Sequence, residues 1–136
     1  MINEIRQAII NELAELCPSV TRRYLDDVPQ NFKPPAFMLS VFEQDHHKRL
    51  NYKYRSSISF DLAYFSDKGA AEIKSDCLAK QEILLRGFDL VGTFRVLNKQ
   101  ARITDNVLHL MFDIEYSEMI PVSDPLMQAK QTKTNL

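Results

Sequence analysis

Two stretches of strict in/out alternation constrain this chain more than any other feature. Between Tyr52 and Phe65, Ile58, Phe60, Leu62 and Tyr64 point one way, and Ser57, Ser59, Asp61 and Ala63 point the other. Between Val107 and Ser117, Leu108, Leu110, Phe112, Ile114 and Tyr116 alternate with His109, Met111, Asp113 and Glu115. Successive side chains of a strand leave opposite faces, so an apolar set and a polar set at period two specify a sheet with one covered face. A helix would scatter both sets around its axis. The chain must therefore build an antiparallel sheet and supply apolar cover for one side of it.

Two helices supply that cover. From Ile2 to Leu16 the residues Ile2, Ile5, Ile9, Leu13 and Leu16 recur at helical spacing, with Asn3, Glu4, Arg6, Asn11, Glu12 and Glu15 on the wet side. Pro18 ends the run. A second helix is expected from about Gly69 to Arg86, with Ala70, Ile73, Cys77, Gln81, Leu84 and Leu85 on its packed side. Ser66 or Asp67 is the expected N-terminal cap, and Gly87 the expected left-handed residue after the last turn.

Shorter strands complete the list. Val20 to Leu25 reads as a polar strand, and Ala36 to Phe42 as one with Phe37, Leu39 and Val41 on a single face. Thr93 to Ile103 joins the last strand through Thr104-Asp105-Asn106. Asp26 to Pro35 contains Pro29, Pro34 and Pro35 and cannot be regular throughout. His46 to Asn51 reads as a charged connection. The result is an α+β fold of order α-β-β-β-α-β-β, an antiparallel (mixed) sheet with both helices on one face. The polar face is then solvated or covered by another copy. Residues 1–120 form one expected domain; 121–136 lose apolar content and periodicity and read as a mobile tail, or as an arm that orders on a partner.

Charge and chemistry narrow the function. With 17 basic and 18 acidic residues among 136 the net charge is -1, so no global electrostatic term draws the chain to nucleic acid or membrane. No apolar run approaches the roughly 18 residues of a membrane span, and the N-terminal stretch is too charged for a secretory signal. Three glycines leave no Gly-rich phosphate loop. Cys17 and Cys77 form no CxxC pair and read as reduced thiols. His46 and His47 are adjacent and His109 stands on the polar strand face, so none has zinc-ligand spacing. Asp26-Asp27 and the Asp113/Glu115 pair come closest to an acid–base constellation, but Asp113 and Glu115 have no third partner, and no GxSxG, Walker or HExxH element exists. The expectation is a non-enzyme without cofactor or metal.

The run Lys48, Arg49, Lys53 and Arg55, interleaved with Tyr52 and Tyr54, could contact nucleic acid, but Glu43, Asp45 and Asp61 dilute it. A solvated or interface-facing loop is the better reading.

The stretch Tyr24-Leu25-Asp26-Asp27-Val28-Pro29-Gln30-Asn31-Phe32-Lys33-Pro34-Pro35-Ala36-Phe37, followed later by Tyr52-Lys53-Tyr54-Arg55-Ser56-Ser57-Ile58-Ser59-Phe60-Asp61-Leu62-Ala63-Tyr64-Phe65, resembles the small phage tail terminator proteins of Gram-positive phages and prophages. The resemblance spans about Ile2 to Ser117, with Ala36 where a bulkier residue is common. It implies structural work in the virion: a homo-oligomeric ring, usually of six copies, assembled in the host cytoplasm. That ring would cap the tail tube, meet head-completion proteins of the neck, and pass DNA through its lumen without gripping it. Asp26, Asp27, Asn31, Phe32, Lys33, His46, Lys48, Arg49 and Tyr52 are the expected interface residues, on the two polar-aromatic segments flanked by strands. A head–tail connector, or a ligand- or peptide-binding module outside the viral context, would suit the same elements.

Overall fold

The computed structural model describes residues 1–27, 29–48 and 53–119. Their elements run α1 (Ile2–Leu16), β1 (Arg22–Leu25), β2 (Ala36–Lys48), β3 (Lys53–Phe65), α2 (Ile73–Gly87), β4 (Leu90–Val91), β5 (Phe94–Thr104) and β6 (Val107–Met119). The order is the expected one, with β4 added ahead of the final hairpin. One six-stranded sheet results, ordered β1-β2-β3-β6-β5-β4. It is mixed: β1 lies parallel to β2, with Arg22 opposite Ala36 and Leu25 opposite Leu39, whereas β5 is antiparallel to both of its neighbours.

The chain divides into two compact units, Met1–Gln44 with Ile58–Ile114, and Asp45–Ser57 with Glu115–Leu136. The first holds the core. Ile58, Phe60, Leu62 and Tyr64 of β3 and Leu108, Leu110, Phe112 and Ile114 of β6 are all buried, as the alternation requires. Ile5, Ile9 and Leu13 of α1 and Cys77 and Leu84 of α2 are buried as well. Both helices therefore cover the apolar face. Phe112 lies between Phe60, stacked at 5.4 Å between centroids, and Phe88, edge-on at 5.1 Å. Within the second unit, Arg55 donates to Glu115 and Ser56 is buried.

Local departures have local causes. Strand β2 continues to Lys48, where a connection from His46 was expected. Apolar alternation stops after Phe42, where residues 43–45 are exposed and neither face is covered, and backbone pairing carries the strand on regardless. Helix α2 starts at Ile73 rather than Gly69, and no side chain caps it; Gly69 O instead accepts from both Glu72 N and Ile73 N at 2.9 Å. Ser66 and Asp67 stand too far upstream to cap. The expected positive φ is absent at Gly87, which is the last helical residue. A Cβ there would lie 3.0 Å from Leu16 Cδ2, so a larger residue would require the Leu16 side chain to shift. Leu85, placed on the packed side by periodicity, is exposed.

The positive φ falls at Gly92, 61°, in the turn that folds Leu90–Val91 back on Phe94 and Arg95. A strand of two residues carries no readable period. In the β5–β6 hairpin, Thr104 pairs with Val107, and Asp105 and Asn106 take φ of 53° and 61°, the left-handed pair that a two-residue hairpin turn needs. A bulge between Leu97 and Gln100, with Asn98 at φ 56°, shifts the register of β5 once.

Candidate assembly surface

The segment after β1 is built by backbone geometry and one aromatic anchor. Asp26 sits at φ 69° with Asp27 N donating to Leu25 O at 2.8 Å, a tight three-residue reversal. Two bonds hold it: Asp26 N donates to Leu39 O at 2.8 Å, and Arg6 Nη2 donates to Asp26 Oδ2 at 2.6 Å. Phe32 N closes a further turn onto Pro29 O at 3.1 Å. The Phe32 ring then packs on Tyr24, 5.6 Å between centroids, and edge-on against Phe65 at 4.9 Å.

That trio stands on the sheet face away from the helices, because Phe65 shares its side of β3 with Ser59 and Asp61. Tyr24, Phe32 and Phe65 come from the two motif blocks of the sequence, so the aromatic positions of the motif tie the segment onto the sheet. Phe32→Ala should lower the unfolding free energy by about 2 kcal/mol, since a half-buried ring and two aromatic contacts are lost. Urea denaturation followed by circular dichroism measures it, and an unchanged midpoint would contradict this anchoring role.

The expected interface residues fall into distinct settings. Asp27, Asn31 and Lys33 are exposed on one loop. Asp26 is exposed but held by Arg6, and Phe32 is half-buried against its aromatic partners. His46 and Lys48 belong to strand β2 rather than to a connection. Arg49 and Tyr52 lie outside the described residues, as do residues 121–136, where a mobile tail was expected.

The polar face of the first unit is a set of cross-strand pairs. Ser59 Oγ donates to Asp113 Oδ1 at 2.7 Å, and Asn98 Nδ2 donates to Asp113 Oδ2 at 2.9 Å. His109 Nδ1 lies 3.2 Å from both oxygens of Asp61. Asp113 thus accepts one hydrogen bond on each oxygen from neutral donors, and in the second unit Glu115 is engaged by Arg55. Arg55, one of the basic run, has its charge balanced in the same way. Neither arrangement prepares a proton-transfer pair. Cys17 and Cys77 are buried, and burial pushes both thiols up, so both remain protonated rather than nucleophilic. Among the described residues no group of three or more His, Cys, Asp or Glu side chains could hold a metal, and no helix is long and apolar enough to cross a membrane.

One polar cluster escaped the sequence reading. Asp76, in the first turn of α2, accepts from Tyr64 Oη at 2.7 Å and Ser66 Oγ at 2.5 Å, with Lys80 Nζ at 3.4 Å. Lys80 also stands 5.3 Å over the Tyr64 ring. Burial works against the Asp76 charge, but the Ser66 and Tyr64 hydroxyls and Lys80 outweigh it and hold the carboxyl below its usual range. Burial, then Asp76, push the Tyr64 phenol well above its ordinary value, the reverse of what an activated hydroxyl requires. The cluster fastens α2 to the end of β3. Only the Asp76–Lys80 spacing of four was visible beforehand.

Among curated proteins, none matches the sequence. One solved chain is similar over 89% of this chain and 98% of its own, at 15% sequence identity and a TM-score of 0.37. A family model described as phage tail terminator protein matches residues 4–125, which takes in nearly all of α1, both motif blocks, the aromatic trio and the whole sheet. The chain belongs to the phage tail terminator proteins, a family of structural components of the phage tail.

Proposed function

We propose that this chain is the subunit of a closed ring, six copies in the simplest case, that caps the head-proximal end of a tail tube and joins it to the head. The family match over residues 4–125 carries this reading. A ring requires a heterologous contact that closes, and a lumen through which DNA slides. A net charge of -1 and a polar sheet face whose carboxylates are already paired suit a wall that does not grip phosphates. Tail-tube protein lies on one side of the ring and head-completion proteins on the other. The exposed loop residues Asp27, Asn31 and Lys33, with His46, Lys48, Arg49 and Tyr52, are the candidates for these contacts, and Asp26 and Phe32 set the shape of the loop.

The test is electron microscopy of lysates from a host whose phage or prophage lacks the gene. Tails of unregulated length without heads are expected. Normal-length tails beside filled, unjoined heads would move the protein to the connector role, and intact infectious particles would remove both. On the protein itself, Asp27→Lys is expected to block ring formation; wild-type assembly of that variant would take the loop out of the interface.

A further inference from the structure

We infer that Arg6 of α1 is a positioning residue for assembly: its guanidinium holds Asp26 in a strained turn and so fixes how the following loop presents Asp27, Asn31 and Lys33. This rests on the reading that those loop residues belong to the ring contacts. Asp26 is the point where the chain leaves β1. Its φ of 69° lies in the left-handed region, and Asp27 N closes onto Leu25 O around it at 2.8 Å. A three-residue turn with a positive φ at its centre is the rare, strained form. Glycine takes such a conformation freely, whereas a residue with a Cβ stays in it only when its surroundings hold it there. Asp26 Oδ2 is committed to such a hold, Arg6 Nη2 at 2.6 Å and 20 residues away.

The placement of Arg6 itself points the same way. Helical spacing sets it on the wet side of α1, yet its side chain is only 20% exposed, against 52% for Asp26. Its Nε is buried and has no partner among the described residues. Nη1 reaches Asn3 Oδ1 only at 3.5 Å, so the bond to Asp26 is the short one. An unsatisfied guanidinium N–H costs stability, and an exposed ion pair returns little of it. A helix gains nothing from an arginine placed like this; the loop gains a fixed starting point.

An orphaned polar atom and a backbone outlier that meet at one contact mark a place where geometry outranks stability. The far part of the loop is tied separately, by the Phe32 ring on Tyr24 and Phe65. Between the two ties, Asp27, Asn31 and Lys33 stand exposed. Asp27 follows the strained residue directly, so a change at Asp26 redirects it first. Through one side chain, α1 therefore sets the direction of a surface to which it contributes no contact of its own.

Arg6→Ala, alone and combined with Asp26→Gly, tests this on the full chain, with folding of each variant verified by circular dichroism. Two readouts are taken: hydrogen-exchange protection factors of the backbone amides at positions 26 and 27, and assembly by sedimentation velocity with and without purified tail tubes. Arg6→Ala should lower protection at both amides about fivefold and reduce the assembled fraction by a similar factor. Adding Asp26→Gly should bring both back to within about twofold of wild type, because glycine needs no hold at this φ. A loss of general stability would not be repaired by glycine. Protection unchanged in Arg6→Ala, or lost and not recovered in the double variant, overturns the inference. Protection lost and recovered while every variant assembles like wild type overturns the assembly role and takes the loop out of the ring contacts. If wild type assembles under neither condition, the ring reading itself falls, and exchange alone decides whether Arg6 positions the loop.

Discussion

Replacing Phe112 with alanine should lower the unfolding free energy by about 4 kcal/mol, a large share of the roughly 5–15 kcal/mol that holds a domain together. Phe112 is fully buried on β6, between Phe60 and Phe88, with 23° between its plane and that of Phe60 and 77° to Phe88. Removing the ring deletes its transfer free energy and both aromatic contacts, and leaves a void. The void cannot close, because β3 and β5 are hydrogen-bonded on either side of β6 and cannot move in. Phe42→Ala is the internal comparison: 57% exposed on β2, it should change monomer stability by no more than about 0.5 kcal/mol. Chemical denaturation of both variants reads the difference. Equal losses would mean that the apolar face of the sheet has been assigned to the wrong side.

Asp76→Ala should cost about 3 kcal/mol, because Tyr64 Oη, Ser66 Oγ and Lys80 Nζ all lose their common acceptor. Asp76 and Lys80 are only 13% and 16% exposed, so water replaces that acceptor incompletely. Asp76→Asn keeps the shape and loses the charge, and should cost about half as much. The pH dependence separates charge from shape. With its folded value held below the unfolded one, Asp76 stabilises the fold above the ordinary carboxylate range, about pH 4, and that contribution disappears as pH falls through the folded value. Asp76→Asn should flatten the acid limb of stability against pH. Tyr64 acts at the other end: its raised value favours the fold until pH rises past about 10, where the unfolded phenol ionises first. An acid limb identical in wild type and Asp76→Asn would show that the carboxylate contributes through shape alone.

Much of this architecture was legible in advance, for a specific reason. Ile58 to Tyr64 and Leu108 to Ile114 each pack against the helices on every second residue, so burial itself writes the period. Ile5, Ile9 and Leu13 do the same at helical spacing. Where no face is buried, the pattern falls silent. Strand β2 beyond Phe42 is held by backbone pairing that any sequence can make, and β4 is too short to have a period. The motif block from Tyr24 to Phe37 was recognisable as a family resemblance, but its physical purpose was not. Phe32 had been set among the interface residues, and only its contacts with Tyr24 and Phe65 show it anchoring the loop.

The sequence by itself determined which side of each long strand is apolar, which segments are helices, that a turn between Ile103 and Val107 joins the last two strands, and the family. Each of these is a property of neighbours along the chain: side-chain alternation, helical spacing, backbone preference or a contiguous motif. Tertiary structure alone decided the parallel placement of β1 and the close approach of Leu16 to Gly87. It also decided the meeting of Tyr64, Ser66, Asp76 and Lys80, and the pairing of Asp61 with His109 and of Asp113 with Ser59 and Asn98. The hydrogen bonds among these join residues up to 54 positions apart. No local pattern encodes such a meeting, because the side chains that make it are chosen by the packing of the whole sheet and its helices.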